Sequence, residues 1–174
     1  MIRITGGELG GRMIRTPSGN ATRPTSAIAR QALCNILSGQ FVGARILDLF
    51  AGTGVVSFEW LSRGALEALQ VEQNRSVVQL LRQNARDLGL DGICKALQQD
   101  VLQLLENSGE PLGRFDLIYA DPPFTVEYPD LRKALSWLKP EGRAIFEMPS
   151  RTLPAWSEQA SSLRKYGEST LAFF

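Results

Sequence analysis

The sequence contains no histidine and only two cysteines, Cys34 and Cys94, among its 174 residues. The absence of histidine excludes mechanisms that need an imidazole base, a Ser-His pair or a histidine-ligated metal ion. The two cysteines stand far apart and form no CxxC pair, which argues against a disulfide scaffold, a zinc site or an iron–sulfur cluster. Any chemistry must therefore come from carboxylates, backbone groups and a bound cofactor, and we expect no metal.

Long apolar segments are also missing. No run approaches the roughly 18–20 residues that a membrane span requires, and the opening residues 1–11 lack the apolar stretch of a signal peptide. These features predict a cytoplasmic protein without membrane contact. The hydrophobic fraction of 44% supports a sizeable core, and a length of 174 residues favours one domain.

Acidic residues are scarce at the start of the chain. Before Asp48 there is one acid, Glu8, so 17 of the 18 acidic residues and 13 of the 19 basic residues follow. We therefore predict a basic N-terminal extension, residues 1–43, packed on a mildly acidic body, residues 44–174. Arginine donates in a planar fork that suits phosphate, which favours nucleic-acid binding; a chance excess that aids solubility is the alternative. The six early basic residues are all arginines: Arg3, Arg12, Arg15, Arg23, Arg30 and Arg45.

Short apolar segments alternate with amphipathic ones after residue 43, which predicts a parallel sheet covered by helices on both faces. Two further segments, 163–166 and 170–174, flank Gly167 and predict an antiparallel hairpin at the sheet edge. The predicted strands are Arg45–Phe50, Ala68–Val71, Ile93–Leu97, Phe115–Ala120 and Ala144–Met148, and the predicted helices are Val55–Arg63, Ser76–Leu88, Val101–Leu105 and Asp130–Leu138.

The N-terminal extension contains a predicted two-stranded ribbon, Ile2–Ile4 with Met13–Arg15, whose bend is rich in glycine. A helix is predicted to follow a Ser26 cap. Its buried stripe is expected to contain Ile28, Leu33, Ile36 and Leu37.

A glycine turn follows the first body strand in the segment Asp48-Leu49-Phe50-Ala51-Gly52-Thr53-Gly54. Ligands of open α/β sheets bind beyond the carboxyl ends of the strands, and glycine lets the backbone approach them closely. The segment lacks the third glycine of a dinucleotide site, and Asp48 would repel a phosphate. An acid beside an ammonium group, as in the methionine end of S-adenosylmethionine, fits better, although a plain tight turn has the same pattern.

Acidic residues also end the next two strands. Glu72 is placed to accept hydrogen bonds from both hydroxyls of a ribose, and Asp100 from an adenine amino group. Asp100 precedes Val101 at the start of a helix, so a simple N-cap is the alternative. Three acids at successive strand tips predict a nucleoside cofactor.

The fourth body strand ends in Asp121-Pro122-Pro123-Phe124. Prolines fix φ and lack an N–H, so this turn presents carbonyls without competing donors, although Pro-Pro also serves as a rigid exit from a strand. A carboxylate and a fixed carbonyl accept both hydrogens of an exocyclic amine and stabilise positive charge that develops on its nitrogen. Phe124 offers a face on which an extruded base stacks.

Together these motifs resemble class I S-adenosylmethionine-dependent methyltransferases that act on amino groups. Segments 4–12, 22–25 and 30–37, combined with Asp121–Phe124, are similar to the RsmD family, and the resemblance covers essentially the whole chain. That family methylates guanine N2 in 16S ribosomal RNA of the small subunit. Where the family usually has an acid, an arginine and an Arg-Glu pair, this chain has Ala27, Ile28, Arg30 and Gln31.

The resemblance implies an α/β, Rossmann-like fold with a seven-stranded, mostly parallel sheet in which the last hairpin inserts one antiparallel strand. Val101 is expected either at the adenine ring of the cofactor or in the core. The implied cofactor site contains Asp48, Gly52 and Gly54 at the methionine end, Glu72 at the ribose, Asp100 and Val101 at the adenine, and Asp121 beside the reacting methyl group. Phe50 and Ala51 in the glycine turn are also expected to contact the cofactor.

The implied reaction transfers a methyl group from S-adenosylmethionine to guanine N2 and leaves S-adenosylhomocysteine. Asp121 and the carbonyl of Pro122 hold the amine, Pro123 stiffens the corner, and Phe124 stacks on the guanine. The expected partner is 16S rRNA within a small ribosomal subunit or its assembly intermediate, and the expected oligomeric state is a monomer. The residues expected to grip RNA phosphates are Arg3, Arg12, Arg15 and Arg23.

Two other functions remain open from the sequence. An amino-methyltransferase with another target, adenine N6 in nucleic acid or a glutamine side chain, uses a similar proline turn. A non-catalytic RNA-binding assembly factor has the same body without the reaction, although the intact set of Asp48, Glu72 and Asp100 argues against it.

Overall fold

The computed structural model describes residues 1–17, 27–106, 113–123 and 128–174, and its centre is one seven-stranded sheet. Its strands are β3 (Arg45–Leu49), β4 (Glu67–Glu72), β5 (Cys94–Gln98), β6 (Phe115–Ala120), β7 (Leu138–Pro149), β8 (Ser162–Tyr166) and β9 (Ser169–Phe173). The strand order is β5-β4-β3-β6-β7-β9-β8; the first five strands in this order are parallel, and β9 is antiparallel to both of its neighbours. This confirms the predicted fold class.

Helices cover both faces of the sheet and separate two apolar clusters. One cluster joins Leu33, Phe58 and Leu81, and the other joins Val101 and Trp137 to the opposite face. No helix among the described ranges is long and apolar enough to cross a membrane. The α-helices are α1 (Ala27–Ile36), α2 (Val55–Ser62), α3 (Arg75–Asp87) and α4 (Val101–Glu106), with 3-10 helices at Arg132–Trp137 and Ala155–Gln159.

The N-terminal ribbon consists of strands β1 (Ile2–Arg3) and β2 (Met13–Ile14), which form an antiparallel pair. This ribbon packs directly on α2. The N–H of Glu8 donates to the carbonyl of Ser62 at 2.7 Å. Gly7 has φ +77°, and a Cβ there would lie 1.9 Å from the same carbonyl oxygen, so only glycine fits. Every residue of α2 is consequently buried.

Two local predictions are wrong. Ile28 is 72% exposed, and the buried side of α1 carries Arg30 as well as Leu33. The reason is that a buried ion pair between Arg30 and Glu59 occupies part of the contact between α1 and α2. Where an α-helix was predicted over 130–138, the structure has a short 3-10 helix, Arg132–Trp137, and β7 begins at Leu138, before Pro140. The predicted Ser26 cap lies outside the described residues.

Candidate cofactor and amine site

The carboxyl ends of β3, β4 and β6 meet at one edge of the sheet. The chain passes from β3 to β4 on one side and returns to the other side of β3 at β6, which is the point where α/β sheets open a ligand crevice. Two hydrogen bonds join the tips: Ala51 N to Val71 O at 3.0 Å, and Asp121 N to Leu49 O at 3.4 Å. The predicted glycine turn and the proline corner are therefore neighbours.

The glycine turn has a left-handed backbone at three positions. Phe50 has φ +60°, Gly52 +51° and Gly54 +70°. A Cβ on Gly54 would lie 2.5 Å from both the side-chain amide nitrogen of Gln70 and Cδ2 of Leu81, so the turn is pressed onto the core. Only Phe50 adopts this conformation with a side chain, which costs of order 1 kcal/mol and is typical of functional turns.

Asp48 is buried beneath this turn and does not line its surface. Its Oδ2 accepts a hydrogen bond from the hydroxyl of Ser57 in α2 at 2.5 Å. Burial raises the pKa of Asp48 to about 7, and the nearby charge of Glu72 also raises it, while the Ser57 hydrogen bonds lower it. A cation bound at the turn would favour the ionised form of this carboxyl.

Glu72 connects the tip of β4 to the glycine turn. Its Oε2 accepts from Gly52 N at 3.1 Å, and its Oε1 accepts from Asn74 N at 2.8 Å. A carboxylate has about four lone-pair positions, so about two remain for donors from a ligand. The side chain is half-buried, which keeps those positions accessible.

Asp100 forms the helix cap that was the alternative to a ligand contact. Its Oδ1 accepts from Leu102 N at 2.8 Å and from Gln103 N at 3.1 Å. Its Oδ2 accepts no hydrogen bond within the described ranges, so capping leaves one oxygen for a ligand donor. Val101 is 3% exposed and belongs to the apolar cluster beside Leu49 and Val71.

The proline corner is partly described. Asp121 is half-buried, Pro122 is buried and Pro123 is exposed, whereas Phe124 lies outside the described residues. Beneath the corner, the hydroxyl of Tyr128 donates to the backbone carbonyl of Glu147 at 2.7 Å. Burial raises the pKa of Tyr128, and the negative charges of Asp121 and Glu147 raise it further.

Sequence reasoning missed this support under the corner. The carboxylate of Glu147 is 3% exposed and accepts a hydrogen bond from the hydroxyl of Tyr119 at 2.6 Å. The available signal was an acid inside the apolar strand segment Ala144–Met148, because a buried acid requires a partner. Tyr119 and Tyr128 therefore tie β6 and the residues after the corner to β7.

The early arginines have different environments. Arg3 is exposed, and Arg23 lies outside the described residues. Arg12 donates to the backbone carbonyl of Asp87 at 3.0 Å, and Arg15 forms a 3.3 Å ion pair with the Asp87 side chain. Arg12 and Arg15 therefore lie at the C-terminal end of α3, and both side chains remain exposed.

Arg30 is buried against Glu59, an acid of α2 that sequence reasoning did not single out. The Glu59 carboxylate accepts from Arg30 Nη1 at 3.3 Å, from the Thr5 N–H at 2.8 Å, and also from Arg63. Glu59 is fully buried and joins the ribbon, α1 and α2. Arg30 therefore has a structural ion pair and does not face solvent.

The strand order and the place of the glycine turn are those of class I methyltransferases. In the described part of the chain, no group of three or more acidic or cysteine side chains is arranged to hold a metal ion. The chain belongs to the family described as Conserved hypothetical protein 95, whose sequence profile matches residues 2–174. The resemblance to the RsmD family is thereby confirmed, since relatives carry that name.

Several curated relatives have names that describe ribosomal RNA methyltransferases. The chain is 36% identical over 123 residues to ribosomal RNA small subunit methyltransferase D of Escherichia coli K12, covering 71% of this chain and 60% of that protein. It thus spans about three fifths of that relative's length. The Haemophilus influenzae protein of the same name is 30% identical over 156 residues, covering 84% of this chain and 78% of the relative.

Solved structures extend the similarity over the whole chain. The putative methyltransferase yhhF from Escherichia coli is 29% identical, with a TM-score of 0.82 and coverage of 99% of this chain and 96% of that one. The Thermus thermophilus 16S rRNA N2 methyltransferase RsmC, solved with AdoMet and guanosine, is 26% identical, with a TM-score of 0.71. That match covers 99% of this chain and 48% of RsmC.

Proposed function

We propose that the protein transfers a methyl group from S-adenosylmethionine to the exocyclic N2 amine of a guanine in 16S rRNA. The observation that carries the proposal is the 3.4 Å hydrogen bond from Asp121 N to Leu49 O. This bond joins the proline corner to the end of β3, directly beside the glycine turn. A methyl donor bound at the turn and an amine bound at the corner would be adjacent, as direct transfer requires.

The chemistry of the strand tips fits this cofactor. S-adenosylmethionine presents an ammonium group, a sulfonium, two ribose hydroxyls and an adenine amine, all of which are cations or hydrogen-bond donors. Glu72 retains lone pairs for the hydroxyls and Asp100 retains Oδ2 for the amine, while a cation bound at the turn would favour the ionised form of the buried Asp48. We assign Gly52 and Gly54 to the methionine end. The remaining proposed contacts are Phe50 and Ala51 at the same end and Val101 at the adenine.

When bound, the cofactor supplies a methyl group activated by a positively charged sulfur. The carboxylate of Asp121 and the carbonyl of Pro122 would accept both amine hydrogens and favour a pyramidal nitrogen with an available lone pair. Asp121 or water would accept the proton that the nitrogen loses once it has gained the methyl group. Pro123 keeps the corner rigid, and Phe124 would stack on the base.

The RNA target is inferred from the relatives and from charge. Relatives are named as small-subunit rRNA methyltransferases, and the Thermus neighbour is described as an N2 methyltransferase in complex with guanosine. We propose that residues 1–43 form the extension that contacts RNA and residues 44–174 the catalytic body, acting as a monomer on a small ribosomal subunit or its precursor. The proposed phosphate contacts are Arg3, Arg12, Arg15 and Arg23.

The decisive experiment incubates the protein with unmodified small-subunit particles and labelled S-adenosylmethionine, followed by mass spectrometry of the RNA nucleosides. N2-methylguanosine is the expected product. N6-methyladenosine, or label in protein glutamine, would assign the protein to another amino-methyltransferase class. Absence of cofactor binding in calorimetry would instead favour an assembly factor.

A variant separates catalysis from binding. Asp121→Ala should abolish methyl transfer while leaving cofactor affinity within about twofold, because the main cofactor contacts lie on the other strand tips. Unchanged turnover in this variant would overturn the catalytic assignment of Asp121.

A further inference from the structure

A basic face lies on the opposite end of α3 from the candidate site. We define it as five exposed cations contributed by the N-terminal ribbon, by the second half of α3 and by β5. The sequence alone points only to the two arginines of the ribbon, because the other three cations are scattered along the body. The basic face consists of Arg12, Arg15, Arg82, Arg86 and Lys95.

Contacts between the elements bring these cations into one surface. Arg12 and Arg15 both bind Asp87, the last residue of α3, at 3.0 and 3.3 Å. Arg86 precedes Asp87, and Arg82 lies one turn earlier on the same side of the helix. Arg82 in turn donates to the backbone carbonyl of Ala96 in β5 at 2.8 Å, beside Lys95.

The structural contacts do not neutralise this surface. The acidic side chains within it are Asp87 and Asp91, so five cations against two acids leave three excess positive charges. Lys95 uses its ammonium group for the backbone carbonyl of Asp91, which consumes no negative charge. Arg86 donates to the neutral side chain of Gln83. Between α3 and β5 the surface forms an open depression lined by Arg82, Arg86 and Lys95.

A purely structural explanation covers only part of the pattern. β5 is the edge strand of the sheet, and exposed edges often carry lysine to prevent pairing with another chain. Cations near the end of a helix also complement its dipole. These effects account for Lys95 and for one arginine, but not for the other three exposed arginines around the end of α3.

We propose that the basic face binds the phosphate backbone of the RNA substrate at a distance from the reacting base. The inference rests on the proposed function. Four of the five cations are arginines, whose planar forks suit phosphate. Helix α3 begins beside Glu72 and ends at Asp87, and its 13 residues span about 20 Å. The far end of the face therefore lies about 20 Å from the tip of β4, so a structured fragment bound at the site can reach it and a short oligonucleotide cannot.

The test measures RNA binding without cofactor or turnover. The test variant is Arg86→Gln with Lys95→Gln, which removes two positive charges and spares Arg82 and its contact with β5. The matched control is Arg164→Gln with Lys165→Gln on β8, the opposite edge strand, where both residues are exposed. Each protein is titrated with a structured 16S rRNA fragment and with a short guanine-containing oligonucleotide across about 50–200 mM salt.

The test variant should bind the long fragment roughly tenfold more weakly at about 0.1 M salt, with the salt slope reduced by about two. Its affinity for the short oligonucleotide should equal that of the unmodified protein, and the control should match the unmodified protein with both RNAs. An unchanged affinity and slope, or an equal loss in the control, would overturn the proposal. Thermal unfolding verifies that both variants are folded, and Arg86→Gln alone should show half of the change in slope.

The outcome is independent of the proposed reaction. A loss of long-RNA affinity in a protein that methylates no RNA would support the basic face and contradict the proposed function. Normal methylation with unchanged RNA binding would support the proposed function and contradict the role of the basic face.

Discussion

The Asp48 carboxylate lies 2.5 Å from the hydroxyl of Ser57, inside the core and directly under the glycine turn. Ser57 is in the first turn of α2, the helix that the glycine turn introduces. The hydrogen bond thus ties the end of β3 to the start of the next helix. The carboxyl group is buried from solvent beneath the turn at which we propose that the methionine end of the cofactor binds.

This buried carboxyl predicts a specific pH dependence of stability. Its pKa is about 7 in the folded protein and 3.8 ordinarily, so the folded state holds a proton that the unfolded state has released. The contribution of this carboxyl to the free energy of unfolding is greatest below about pH 4, declines as the pH rises to about 7 and is constant above that pH. The total change is on the order of 4 kcal/mol. Urea unfolding of the protein and of Asp48→Asn should be measured at several pH values. The variant should become increasingly more stable than the unmodified protein as the pH rises across this interval. A difference that is independent of pH would contradict it.

Glu72 should contribute strongly to cofactor affinity. In Glu72→Gln the amide has one acceptor oxygen and no charge, so the backbone N–H groups of Gly52 and Asn74 compete with the ribose hydroxyls for it. We expect cofactor affinity to fall by about 10- to 100-fold, corresponding to one or two charged hydrogen bonds. Calorimetric titration with S-adenosylhomocysteine measures the change.

Glu67→Gln is the matched control, because Glu67 is at the other end of the same strand and pairs with Arg45. Its cofactor affinity should be unchanged. Equal affinities for the two variants would remove Glu72 from the cofactor site.

Replacing Gly54 in the glycine turn should cost more stability than its left-handed backbone alone explains, because the turn is packed against the core. Gly54 and Gly89 have φ of +70° and +73°, but only Gly54 has atoms of Gln70 and Leu81 within 2.5 Å of an added Cβ. Gly89→Ala should cost about 1 kcal/mol from backbone strain, and Gly54→Ala about 2–4 kcal/mol because overpacking is added. Urea denaturation compares them, and equal losses would show that the turn is not constrained by its neighbours.

The buried ion pairs of Glu59 should hold the ribbon on the body. Glu59→Gln leaves Arg30 buried without its acid, and the expected loss is about 3–5 kcal/mol of unfolding free energy. Asp130→Asn, which breaks the exposed pair with Arg132, should cost less than about 1 kcal/mol. The Glu59 variant should also be cleaved faster within residues 1–17 by a protease. Similar stability losses for the two variants would mean that the buried pair has no special role.

Most of the sheet was predictable because its strands are short, apolar and separated by recognisable turns. β6 occurs at the predicted residues 115–120, and β3 ends one residue earlier than predicted. The prediction of an α-helix over 130–138 was wrong, since that stretch has helical spacing but contains only the 3-10 segment Arg132–Trp137 before β7. Periodicity reports which side of a segment is buried, and it does not distinguish these two helix types over so few residues.

Local sequence was sufficient for the strand tips and their acids, since the glycine turn, Glu72, Asp100 and Asp121 each follow a strand that its own residues define. Long-range packing was needed for the partners of those side chains. Glu59 meets Thr5 from 54 positions away, and Arg82 meets Ala96 across the edge of the sheet. Burial and electrostatic pairing depend on which elements become neighbours after folding, and that information is distributed over the whole chain.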